Sequence, residues 1–409
     1  MYERMWIKKM KIMVILVALL IIGGCISKEN DPIKKIFSPN LEQKVTPIRE
    51  ISSTMYPRGI FTIPDGSLFG AVNDGISLFD NKGNHIWTKR GIGSRYAIPL
   101  DNGEAVLAES YNKKGPWKST LIMFDSEGNI LWERQTGEIG EDGLAVTPNG
   151  SFIAVGATDK EYKGHLMLFD RDGNKLWDHQ INGRSGKVIS RKIDRISSRI
   201  ETVAVSKSGY VVAAPRDQYI YVYNCNGELI FKYFAHTYYD AQDIVIAPDE
   251  SYFLFASERN YLNCYTLLGE LLWQKEIGSL HIVKISADSE YIAVGTINSS
   301  VILLDRNGNI LWNKKITSDH YVIEVAISGH GEYVVVPARN RFLFPTYAFE
   351  VYNKEGHLLW RYEEEYAFKA LAISDDGHYL AASNGFVLLF FDNLAAIKEY
   401  ASSESVQEE

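Results

Sequence analysis

LIMFDSEGNILW, residues 121–132, carries the local instruction from which the fold is built. Strand-forming residues lead to an Asp, two polar residues and a Gly follow, and a Trp stands four places after the Gly. The phrase returns as ISLFDNKGNHIW (76–87), LMLFDRDGNKLW (166–177), VILLDRNGNILW (301–312) and FEVYNKEGHLLW (349–360). Weaker copies, YVYNCNGELIF (221–231) and LNCYTLLGELLW (262–273), keep the Gly and the terminal aromatic, and VLLFFDN (387–393) stops after its Asp. Such a phrase is a hairpin. The Asp side chain accepts hydrogen bonds from turn amides, and the Gly supplies the positive φ that folds two strands tightly back on each other.

A second phrase precedes each copy: an apolar strand, a Ser/Thr/Pro-Asp/Asn-Gly type of turn, and another apolar strand. It is plain in AVTPNGSFIAVG (145–156), AVSKSGYVVAA (204–214), KISADSEYIAVG (284–295) and AISDDGHYLAA (372–382), and looser at 61–71 and 98–108. Together the phrases predict four antiparallel strands per unit, eight times over. The Asp-position residues 80, 125, 170, 224, 266, 305, 353 and 392 lie 39 to 54 apart, a period that marks blades of a ring rather than separate domains. The expected fold is therefore all-β: a single β-propeller of eight four-stranded antiparallel blades over residues 56–400, with seven blades as the alternative. Trp87, Trp132, Trp177, Trp273, Trp312 and Trp360 fill one slot and are expected as wedges between blades. Blade eight lacks the Gly and Trp. Its outer strand is expected from residues 44–52 (KVTPIREIS) or, as runner-up, from 394–400.

The amino terminus gives an address. Arg4, Lys8, Lys9 and Lys11 precede the apolar run 12–22, and Gly23, Gly24 and Cys25 follow, which is the basic, apolar, small order of an export signal. The segment around Cys25 resembles the lipobox of prokaryotic lipoproteins, which implies lipidation of Cys25; an uncleaved anchor is the alternative. Either way the body lies outside the cytoplasmic membrane and is tied to it. Residues 26–55 read as a polar tether with a possible ring-closing strand, and residues 401–409 as a disordered acidic tail. The chain of 409 residues has net charge -8, and removing residues 1–24 makes it -11, a balance that argues against nucleic acid as a partner.

Over residues 59–400 the Asp-x-x-Gly-x-x-x-Trp phrase resembles the pyrroloquinoline-quinone-like propeller superfamily, and the second phrase resembles WD40-type propellers. The anchored eight-bladed body is also similar to the outer-membrane assembly lipoprotein propeller. Quinoprotein repeats carry a Thr before the Gly, and their dehydrogenases use adjacent cysteines over the quinone. These units have no such Thr, and Cys225 and Cys264 stand 39 apart. No cofactor is expected.

Phosphate-loop, zinc-helix and nucleophile-elbow motifs are missing from the sequence. His236, His281 and His320 fall in connections between blades, but no spacing enforces metal ligation, and no metal is expected. Lys284 occupies a slot that is Ala in four other blades, with Asp243 and Glu324 two residues earlier in neighbouring units. Either a channel-mouth salt bridge or a ligand-contacting cluster answers to that pattern. The connection 181–200 carries Arg191, Lys192 and Arg195 among six basic residues against one Asp, a reversal of sign on an acidic body, and the next connection offers His236, Tyr238 and Tyr239. Two functions compete. One is a membrane-anchored extracytoplasmic scaffold binding a macromolecule, expected to be a protein, through these connections. The other is an extracytoplasmic enzyme, quinoprotein-like or lyase-like, working at the channel mouth. Mass spectrometry of the mature amino terminus should find a lipidated Cys25 as first residue; an intact segment 1–24 would refute processing.

Overall fold

Each pair of phrases folds into one antiparallel sheet whose spatial order is its sequence order. In the fifth, Asp243–Ile246, Phe253–Ser257, Tyr261–Tyr265 and Leu271–Glu276 lie side by side. The computed structural model describes residues 45–52, 59–62, 68–72, 75–90, 93–111, 119–161, 163–181, 199–217, 219–235, 243–257, 260–278, 280–316, 322, 324–340 and 346–405. All of these belong to the second of two compact units, Gln43–Glu409. Blades one to seven cover residues 59–90, 93–136, 138–181, 200–234, 243–276, 280–315 and 326–364. The innermost strand of each blade touches that of the next, and the eighth touches the first, so the ring closes. Blades three and four are additionally joined by a parallel bridge between Asp142 and Thr202.

The eighth blade is assembled from both ends of the chain. Ala370–Ile373, Tyr379–Ser383 and Val387–Asp392 supply three strands, and Arg49–Ser52 supplies the outer one, with Arg49 opposite Phe390 and Ser52 opposite Val387. The runner-up segment does otherwise. Asn393–Ser405 is a helix, started by the Asp392 carboxylate accepting from the Ala395 N–H at 2.9 Å. Residues 401–405, read from the sequence as tail, are the helix's last turn; residues 406–409 lie outside the described residues. Ala396 of this helix packs beside Trp360, Tyr362 and Phe368, where it shares a core with Val45, and the Glu399 carboxylate accepts from the Thr46 N–H at 3.2 Å. Among the described residues no helix is long and apolar enough to cross a membrane.

The repeated turns behave as their chemistry dictates. Asp125 Oδ1 accepts from the N–H groups of Glu127 and Asn129 at 2.9 and 2.8 Å, and Asp80 and Asp305 repeat the pattern. The Gly and the Trp then meet across blades. Trp87 lies on Gly128, Trp132 on Gly173, Trp177 on Gly227, Trp273 on Gly308 and Trp312 on Gly356; a β-carbon on any of these glycines would fall 2.7–2.9 Å from the ring. The indoles of Trp132, Trp177, Trp273 and Trp312 each donate to a backbone carbonyl of the next blade's turn at 2.8–3.1 Å. Phe231 takes the slot in blade four, seated on Gly269. Trp360 finds no such glycine and donates instead to Asn393 Oδ1 at 2.7 Å, while Phe390 and Arg49 together cover Gly83 to close the last seam. The second phrase repeats the device nearer the axis, with Phe152 on Gly209, Tyr291 on Gly331 and Tyr333 on Gly377.

Antiparallel order puts both kinds of turn on one face of the ring and leaves the opposite face to the connections between blades. Gly173 and Gly278 both have positive φ, 75° and 94°, but only Gly173 faces a neighbour; nothing lies within 4 Å of a β-carbon at Gly278. Gly278→Ala should therefore cost about 1–2 kcal/mol of backbone strain. Gly173→Ala should cost about 3 kcal/mol, because Trp132 must also leave its seat. Urea unfolding of the two variants measures the difference, and equal losses would refute the seam.

Candidate functional site

Register fixes which side chains share the channel end of the inner strands. Lys284 pairs with Ala293 as Ala326 pairs with Val335, Ala372 with Ala381, Ala204 with Val212 and Ala145 with Ala154. The small residues are needed because neighbouring inner strands converge there. Lys284 breaks the set. Asp243 opens the inner strand of blade five, and its Oδ2 reaches across the seam to accept from the Val283 N–H at 2.9 Å. Glu324 lies two residues before Ala326 in blade seven and accepts from the Val325 N–H at 3.2 Å. Lys284 thus stands in blade six, between carboxylates carried by blades five and seven.

All three keep some surface toward the channel while protein surrounds them closely. Burial pushes the Asp243 carboxyl above its ordinary value, against the pull of Lys284 and of the Val283 and Ile244 N–H groups. Burial raises Glu324 likewise, and the charge of Asp243 adds to the rise. For Lys284 burial opposes the charge, yet Glu324, Asp243 and Asp142 together lift the ammonium above its ordinary value. The lysine stays charged, and the negative charge of Asp243 disfavours ionisation of Glu324. His281, half-buried on the same strand, is held below its ordinary value by burial, with Asp243 opposing.

Lys284, Asp243 and Glu324 therefore lie together, and two further residues join them that the sequence reading did not connect to the group. His281 entered the sequence argument only as a loop histidine. Asp142 comes from blade three, where the register shifts between Ile139 and Leu144, so counting residues by twos from the turn does not lead to it. The cluster holds charge. No group of three potential ligands suited to a metal ion occurs among the described residues.

Cys25, Arg191, Lys192, Arg195, His236, Tyr238, Tyr239 and His320 lie outside the described residues. The aromatic string that leads toward Tyr238 is packed inward where it is described: Phe231 on Gly269, Tyr233 against Phe255 and Tyr265, and Phe234 against Tyr219. Cys225 and Cys264 are free thiols, and burial drives Cys264 up to about 12.

An eight-bladed ring with Gly–Trp seams and a charge cluster on its inner strands defines a quinoprotein-like propeller. A family model described as outer membrane protein assembly factor BamB matches residues 44–253 and 258–400, and the chain belongs to that family. Among solved structures, BamB from Moraxella catarrhalis is similar, with 15% sequence identity, a TM-score of 0.59, and coverage of 85% of this chain and 99% of that one. No curated protein matches.

Carboxyls raised on folding contribute stability below their unfolded values, near 4, and lose it as pH rises through the folded ones. Lys284→Met removes the cation that offsets them and raises them further. The variant should lose about 3 kcal/mol at pH 8 and markedly less at pH 5, where the carboxyls take up protons. Unfolding at the two pH values decides it; an equal loss at both would leave Lys284 a packing role only.

Proposed function

We propose that the protein is a membrane-anchored, extracytoplasmic binding scaffold that engages another protein through the face bearing the connections between blades. The observation that carries this reading is the division of the ring's two faces. Turn residues on one face are consumed by the seams, since Asp holds the turn, Gly seats an aromatic and a carbonyl accepts an indole. Among the described residues no such repeat holds the opposite face, and by sequence the connections there differ in length and charge from blade to blade. Recognition residues commonly sit on loops held by a rigid scaffold.

The connection 181–200 is the longest and is basic on an acidic chain. Its basic residues suit an acidic partner whose encounter rate salt would lower. Membership in a family named for outer membrane protein assembly supports a role in assembling other proteins outside the cytoplasm. The channel cluster fits this reading as a structural charge group, in which Lys284 answers the carboxylates of Glu324, Asp243 and Asp142. Cys25 would supply the attachment.

Replacing Arg191, Lys192 and Arg195 by Ser should weaken capture of a co-purifying extracytoplasmic protein several-fold at low salt, with thermal unfolding nearly unchanged. Undiminished capture would remove the basic connection from the interface. Turnover of a small substrate that depends on Lys284 would replace the scaffold by an enzyme.

A further inference from the structure

The outer strand of a blade is a sheet edge, and an exposed edge invites another chain to pair with it unless charge or a cover prevents it. Seven of the eight outer strands are guarded by two or more formal charges. They are Arg49 and Glu50, Lys89 and Arg90, Glu133 and Arg134, Lys175 and Asp178, Lys275 and Glu276, Lys314 and Lys315, and Arg361, Glu363 and Glu364. Blade four departs from this. Its outer strand, Leu229–Phe234, reads LIFKYF and carries one charge, Lys232. It ends its sheet, with no described strand beyond it.

Leu229 is 50% exposed, and Leu268, in the blade-five turn seated on Phe231, is 72% exposed. The single charge is held in place. Lys232 Nζ lies 4.0 Å from the Tyr219 ring centre and 4.7 Å from that of Tyr221, over a buried Asp217 whose carboxylate accepts from the Tyr221 hydroxyl. A fixed cation in an otherwise apolar edge gives an incoming strand one position at which its charge matters.

We infer that Leu229–Phe234 is a strand-addition site, which takes an extended, acidic segment of a partner protein with a carboxylate set opposite Lys232. Main-chain pairing would supply affinity, and the opposite charges across the pair would set register. By sequence the connection between blades three and four has the same sign as Lys232. A second copy of this chain suits the edge poorly: two chains of net charge -8 repel, and edge-to-edge pairing would bring a Lys232 from each toward the other. The inference rests on the scaffold reading and adds an element, a sheet edge, that the loop reading does not need.

The probe is a labelled octapeptide alternating valine and glutamate, with a lysine-for-glutamate version as control, titrated into the full chain in detergent. The glutamate peptide should bind and slow amide exchange in residues 229–234. Lys232→Glu should weaken it about tenfold and favour the lysine peptide, whereas Lys232→Arg should retain binding and so control for loss of fold. Protection elsewhere on the ring, or affinity indifferent to Lys232→Glu, would overturn the inference. A concentration-dependent dimer abolished by Lys232→Glu would do so too, by giving the edge to a second copy. If the Ser-substituted connection loses its partner while the peptide ignores the edge, the edge alone fails. Peptide pairing at the edge with undiminished capture by the Ser variant would uphold the edge and reject the loop.

Discussion

Everything in this ring depends on an aromatic side chain finding a place where its neighbour has no β-carbon. A blade alone is a small twisted sheet with two apolar faces, and it becomes stable by burying them against the blades on either side. The Gly needed to turn the Asp-x-x-Gly hairpin leaves a flat patch of backbone at the outer corner of the next blade, and the Trp of the preceding blade covers it, as Trp132 covers Gly173. One short phrase thus makes both halves of the joint. Repetition then produces a ring in which each seam is nearly a copy of the last.

The joint also explains where the repeat is allowed to fail. Blade four replaces Trp by Phe231 and keeps the seat at Gly269. Blade eight has lost both the Gly and the Trp, and each loss is answered by a neighbour. Asn393 accepts from Trp360 and donates through Nδ2 to the Gly377 carbonyl at 2.8 Å, taking over the missing turn. On the other side Arg49 occupies the Trp register position, and the aromatic ring comes from Phe390 on the strand opposite. A joint that accepts such exchanges constrains geometry more than residue identity.

The ring was legible because its causes are local. Asp125, Gly128 and Trp132 stand within eight residues, and the turn they make follows from side-chain hydrogen bonding and φ alone. The charge cluster was partly legible: Lys284, Asp243 and Glu324 could be placed by counting alternate residues from the turns, which works while strands are regular. Asp142 was hidden by the irregular register of Ile139–Leu144, and the helix at Asn393 by apolar residues that suit a strand as well as a helix until Trp360 and Phe368 offer it a surface. The sparse charge of Leu229–Phe234 was on the page from the start. It gains meaning only when the structure shows this segment to be an outer edge.

The composite eighth blade makes closure of the ring wait for its last strand. Arg49–Ser52 is made early, yet its partner Val387–Asp392 is separated from it by more than three hundred residues of synthesis. Until that last strand emerges, the inner strands can stack in order but the circle stays open, with two blade faces wet and the first blade's Gly83 uncovered. A polypeptide cut short anywhere before residue 387 is consequently left with two unpaired blade faces, whereas pairing of Arg49–Ser52 with residues 387–390 joins the first and last strands of the ring in one sheet. Closure by strands far apart in sequence thus ties the last joint of the ring to the last strand made.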